Sequence, residues 1–272
     1  MERIRQAVEQ ARKQRQEVTG VANVAHQGFE DKEVAREPEV KVDYSQTHTV
    51  TVSSSVREHN RLVAAIPGHP LQDTYRILRT RVIQEMRAND WRTIGVTSPV
   101  AGSGKTLTSL NLAISIARDL SHTAFLFDAD LRHPAVASYF GFEPESGLND
   151  YLFNDVPLSQ CLFHPDMDRL TVLPGREPIN ESAETLSSPN FVSLLEEVRN
   201  RYTDRITVVD LAPTLEFDDV LSVAPNIDCI LMVAESGETK QEELSKALEM
   251  LENFEIIGTV LNKVEKKAKE VY

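Results

Sequence analysis

From Pro70 to Lys263 the chain alternates between short apolar, β-branched runs and longer stretches with apolar residues at helical spacing. The runs are TIGVTS (93–98), TAFLFDAD (123–130), RLTVLPG (169–175), RITVVDL (205–211), CILMVAES (229–236) and EIIGTVLNK (255–263). Helices are predicted over 71–86, 105–120, 187–201, 217–224 and 239–253, the first burying Leu71, Leu78 and Val82. Strands apolar on both faces, separated by helices, predict an α/β fold with a mostly parallel sheet covered by helices on both faces. Ligands of such sheets sit at the carboxyl ends of the strands, which is where chemistry is sought.

Before Pro70 this regularity is lost. Residues 1–18 read as a helix with a weak stripe at Ile4, Val8 and Ala11. The polar stretch 19–60 reads as linker with at most one short strand, VTV (50–52). A helix is predicted from Val56 to Ala65, closed by Pro67-Gly68. The chain thus divides into an N-terminal helix and flexible or docking arm (1–68), a main domain (69–264) and a short tail (265–272).

Composition narrows the function. A chain of 272 residues, 41% hydrophobic, carries one substantial core. Nothing approaches eighteen consecutive apolar residues, so no membrane span is predicted. The start, MERIRQAVEQARKQRQ, is charged throughout and lacks the apolar core of a secretion signal. Cys161 and Cys229, far apart and without CxxC spacing, read as buried reduced thiols of a cytoplasmic protein. A net charge of −13 excludes general nucleic-acid binding, which needs a basic surface.

The chemistry concentrates at three strand ends. TSPVAGSGKT (97–106) joins the first strand to a helix, the context of a phosphate-binding loop, although Pro99 stands where such loops usually begin with glycine. Here the backbone of Ala101, Gly102, Ser103, Gly104, Lys105, Thr106 and Leu107 would wrap phosphate, Lys105 would reach its outer oxygens, and Thr106 would ligate Mg2+. FLFDADLRHP (125–134) places Asp128, Asp130 and Arg132 at alternate positions, on one side if the extended geometry persists. Carboxylates gathered beside a phosphate loop call for a cation, and Asp210 at the end of RITVVDL adds a third.

These segments resemble the bacterial tyrosine kinases of exopolysaccharide and capsule synthesis, built on the scaffold of the MinD and ParA ATPases. TSPVAGSGKT is similar to their Walker A segment, FLFDADLRHP to their Walker A′ and VVDLAP (208–213) to their Walker B. The partitioning ATPases of that scaffold carry a signature lysine where Val100 stands. The similarity spans about residues 70–263 and is greatest to stand-alone kinases encoded with exosortase-linked exopolysaccharide systems, judged by RYTDRITVVDLAP and Asp218-Asp219. It implies an ATP-dependent protein-tyrosine autokinase, with Lys105, Asp128 and Asp130 catalytic and Thr106, Asp130 and Asp210 organising Mg2+. Asp128 is the candidate base, although which of the two Walker A′ aspartates is base and which is ligand stays open. Asn262 matches a position that reads adenine. DTYRILRT (73–80) resembles a subunit-contact motif, implying a ring-forming homo-oligomer through Asp73, Arg76 and Arg79. Tyr272 is the expected phospho-acceptor, standing alone where relatives carry a cluster. The resemblance further implies a transmembrane polysaccharide co-polymerase as activator, polysaccharide-synthesis enzymes as substrates, and a cytoplasmic location held to the inner membrane through that partner. A MinD-like ATPase and an ATP-gated docking regulator are the competing readings.

Overall fold

The computed structural model describes residues 47–265. The predicted helix over 1–18 and Tyr272 lie outside them. Eight strands form one sheet: β1 (His48–Thr49), β2 (Thr93–Thr97), β3 (Thr123–Asp128), β4 (Phe163–His164), β5 (Leu170–Leu173), β6 (Arg205–Asp210), β7 (Cys229–Glu235) and β8 (Ile256–Asn262). Their order is β1-β4-β5-β3-β6-β2-β7-β8, and every pairing is parallel except β4 with β5. The six strands expected from the apolar runs are all present. The two-residue β1 and β4 are additions, too short to leave a periodic signal.

Among the described residues, the helices that bear on the core and the site include α1 (Ser54–His59), α2 (Gln72–Ala88), α3 (Lys105–Ala117), α4 (Pro189–Arg201), α5 (Asp219–Val223) and α6 (Gln241–Met250). Helix α3, KTLTSLNLAISIA, is buried on nearly every side from Thr108 to Ala117. Its Leu110, Leu112, Ile114 and Ile116 are each worth about 1.5–3 kcal/mol when withdrawn from water. Strand alternation sorts β3 between two cores. Leu126 joins α2 and α3 on one face, while Phe125 and Phe127 join Phe191, Leu194 and Leu195 of α4 on the other. Both cysteines are free and buried, as expected. Among the described residues no helix is long and apolar enough to cross a membrane.

Four expectations need correction. The helix expected over Val56–Ala65 is broken into α1 and a 3-10 turn, Val63–Ala65. The break falls at Arg61, with φ of +55°. It is held by buried Asn111 of α3, which accepts from the Ala64 amide (2.9 Å) and donates to the Arg61 carbonyl (3.1 Å). Leu71, expected in the core, is 44% exposed because α2 begins only after it, and the buried stripe is Val82, Ile83 and Met86. The expected VTV strand (50–52) is not formed; the paired strand is β1, which starts two residues earlier, and Val50 still donates to the His164 carbonyl (2.8 Å). Residues 47–66, read in sequence as part of the arm, contribute Val52, Leu62, Ala64 and Ala65 to the core around α3.

Candidate nucleotide site

The site is built at the carboxyl ends of β2, β3, β6 and β8 and the start of α3. Between β2 and α3 the chain turns through Gly102 and Gly104, whose φ values of +83° and +92° are left-handed. At Gly104 a side chain would be strained by that φ and would also displace the Asn262 amide. Asn262, at the end of β8, donates to the Ser103 carbonyl (3.0 Å) and so braces the loop. Lys263 does the same beside it, its Nζ 2.9 Å from both the Gly102 carbonyl and Glu235 Oε2. The segment after β6 grips the loop from the other side. Thr97 Oγ1 donates to the Ala212 carbonyl (2.7 Å), and the amides of Thr214 and Leu215 donate to the Ser98 and Pro99 carbonyls. Beside the loop lies a cleft of about 480 Å³, lined in part by Val100, Ala101, Ser103, Glu235 and Glu238.

At the first turn of α3 the charges meet. Lys105 Nζ lies 2.6 Å from Asp130 Oδ2 and 3.6 Å from Asp210 Oδ2, with all three side chains largely buried. Thr106 Oγ1 donates to Asp210 Oδ2 (2.7 Å), and Ser109 Oγ donates to Asp210 Oδ1 (2.9 Å). Asp128 stands opposite Asp210 in the β3–β6 register. Its Oδ2 accepts from the amides of Ala135 (3.1 Å) and Val136 (3.0 Å), while its buried Oδ1 has no hydrogen-bond partner.

Burial and crowding set the protonation of this cluster. Burial first, then the neighbouring Asp210 charge, pushes the Asp128 carboxyl up to about 7. Burial also raises Asp210, against the pull of Lys105. Burial alone would lower Lys105, but the charges of Asp210 and Asp130 hold it above the ordinary lysine range. Lys105 is the counter-ion of a site with more negative than positive charge.

Lys105, Thr106, Asp130 and Asp210 are therefore in direct contact, with Asp128 at their side. Arg132 is not with them. Extended geometry stops at Asp128 and the chain turns, so Arg132 leaves the carboxylates and pairs with buried Asp219 (3.2 Å). There it also stacks on Phe217, 4.4 Å from the ring centroid. On α2, Arg76 and Asp73 form an exposed pair at 3.0 Å. Arg79 is folded inward onto α3, donating to the Ser115 carbonyl (3.1 Å), so the three residues do not share one open face.

Sequence reasoning missed Ser109, Glu216, Lys263 and Gly175. Ser109 was visible in principle, four residues after Lys105 on one helical face. A Cβ on Gly175 would press to 2.5 Å from Pro134 Cβ, so the loop after β5 closes against the Asp128 segment only as glycine. That proximity leaves no periodic trace.

Thr106, Asp130 and Asp210 offer hard oxygen donors, and the unpartnered Asp128 Oδ1 is a buried acceptor awaiting a donor. This chemistry fits Mg2+ completed by phosphate oxygens and water. Among the described residues no group of three or more His, Cys, Asp or Glu is arranged to hold a metal ion.

The model of the CobQ/CobB/MinD/ParA nucleotide binding domain matches residues 94–272. The chain is 29% identical over 222 residues to the putative tyrosine-protein kinase EpsB of Ralstonia nicotianae, covering 78% of this chain and 29% of that protein. It is 29% identical over 197 residues to the tyrosine-protein kinase CpsD of Streptococcus pneumoniae, covering 71% and 85%. Among solved structures it resembles the kinase domain of the Escherichia coli tyrosine kinase ETK, with TM-score 0.71 and 26% identity over 85% of this chain and 93% of that one. The chain spans well under half of EpsB's own length.

Proposed function

Because the chain belongs to the CobQ/CobB/MinD/ParA nucleotide-binding family, we propose that it is an ATP-dependent protein-tyrosine autokinase serving exopolysaccharide or capsule synthesis. The observation that carries this reading is the Lys105–Asp130 ion pair, set between Asp128 and Asp210 at the mouth of a phosphate loop. The kinase names of EpsB, CpsD and ETK support it.

The residues divide the work as follows. ATP phosphates draw Lys105 away from Asp130, because a polyanion outcompetes one carboxylate for the ammonium. Thr106, Asp130 and Asp210 would hold Mg2+, which would offset the charge that Lys105 leaves behind and that of the phosphates. Asp128, protonatable near neutrality, takes the proton from the incoming tyrosine hydroxyl. The tyrosine oxygen bonds to the γ-phosphorus, the bond to the bridging oxygen breaks, and ADP leaves. Such transfer needs positioning and charge neutralisation more than a strong base. In this proposal Asn262 reads the base of the nucleotide. Tyr272 is the acceptor in trans within a homo-oligomer to which Arg76 contributes. A transmembrane polysaccharide co-polymerase holds the assembly at the inner membrane and activates it.

Labelled ATP with Mg2+ tests this, comparing wild type, Lys105→Met and Tyr272→Phe. The expected outcome is label on tyrosine in wild type, a loss of at least about 100-fold in Lys105→Met, and strong loss in Tyr272→Phe. Phosphate release without labelled protein would instead establish an ATPase. Undiminished label in Tyr272→Phe would move the acceptor elsewhere.

A further inference from the structure

One amide of the phosphate loop already carries an anion. The Ala101 N–H donates to Glu216 Oε1 at 2.5 Å. Glu216 is otherwise exposed, so its side chain gives up rotamer freedom to lie against the loop. It is brought there by the backbone pairing of Thr214 with Ser98 and of Leu215 with Pro99. A loop whose amides converge on phosphate attracts any negative oxygen within reach. In the nucleotide-free chain the oxygen within reach is a carboxylate of its own.

We propose that Glu216 is an internal competitor for the nucleotide: its carboxylate occupies the Ala101 amide in place of a phosphate oxygen and is displaced when ATP binds. This rests on the nucleotide-site reading above and adds a sensor to it. The residue after Glu216 is Phe217, whose ring lies against Arg132, and Arg132 is anchored by Asp219. Asp219 in turn accepts from Ser182 at 2.7 Å. Release of Glu216 therefore transmits occupancy of the loop to the segment just beyond Asp128 and Asp130. Such a device favours weak nucleotide binding at rest and ties occupancy to the arrangement of the carboxylates.

Calorimetric titration of the full chain with Mg-ATP decides the matter, using wild type, Glu216→Gln, Glu216→Ala and Glu242→Gln. Glu242 is exposed in the first turn of α6, outside the lining of the cleft beside the loop, so it controls for loss of a surface charge. Removing the competitor is expected to tighten ATP binding about 3- to 10-fold in both Glu216 variants, the worth of one exposed charge-assisted hydrogen bond. Glu242→Gln is expected to change it less than about twofold. In alanine-labelled protein the Ala101 amide proton is expected to move upfield in Glu216→Ala and to stay in place in Glu242→Gln. Unchanged or weakened ATP binding in the Glu216 variants overturns the proposal, because a residue that positions nucleotide would show that sign. Equal tightening by Glu242→Gln overturns it too. A wild-type chain that binds no ATP at all removes the nucleotide-site reading itself.

Discussion

At the scale of single residues, the site is a compromise between burial and charge. Asp128 shows it most sharply: a fully buried carboxylate with one oxygen satisfied by two amides and the other unpartnered. Its carboxyl is pushed from the ordinary value of 3.8 up to about 7, so the folded chain binds this proton more tightly than the unfolded chain does. The stability this confers is complete below pH about 4 and is lost as pH rises through about 7. Without nucleotide and with Mg2+ chelated, Asp128→Asn is expected to melt a few degrees above wild type at pH 8. The gap should close towards pH 5, as followed by circular dichroism. A gap that stays constant with pH would mean that Asp128 does not carry the strain. That Asp128, Asp130 and Asp210 meet Lys105 and Thr106 was legible in the sequence, because each sits at the end of an apolar run. Glu216 was not: it looks like any surface glutamate.

At the scale of elements, α3 links phosphate loop to core. Its first turn presents Lys105, Thr106 and Ser109 to the site, while its middle, through Asn111, holds the backbone of residues 61–64. Asn111 also donates to the Leu107 carbonyl of its own helix (2.9 Å). Truncation in Asn111→Ala leaves the buried Ala64 amide without an acceptor and is expected to cost about 3 kcal/mol in denaturant unfolding. Asn111→Asp, which keeps the acceptor, should recover part of that in the same titration. An undiminished midpoint in Asn111→Ala would show that water replaces the side chain. Strand β2 has a comparable anchor: Asp228 accepts from the amides of Arg92 and Thr93 at 2.8 Å and pairs with Arg199 at 2.7 Å. The six long strands and the main helices were readable from periodicity. The broken helix near Arg61 was not, because the partner that breaks it lies fifty residues away.

At the scale of the whole molecule, the sheet order places chemistry where the chain changes direction. From β2 the chain builds β3 and β5 on one side, returns to insert β6, then crosses to β7 and β8. The ends of β2, β3 and β6 therefore share one crevice, the usual ligand position of such sheets. The outer face of α2 offers Arg76 to solvent, whereas Arg79 is committed to α3. If that face joins subunits, Arg76→Glu is expected to lower the mass seen by light scattering without shifting the melting temperature, since its pair with Asp73 is exposed and worth about 0.5 kcal/mol or less. An unchanged mass would assign assembly to another face.

By itself the sequence determined the fold class, the phosphate loop and the three carboxylates, since each is written in local periodicity and in residues a few places apart. Tertiary structure alone decided that Arg132 turns away from them, that Arg79 folds inward and that residues 47–66 join the core. It also decided that Glu216 lies on the loop. Each of these depends on contacts between residues distant in the chain, where neither spacing nor composition carries a signal.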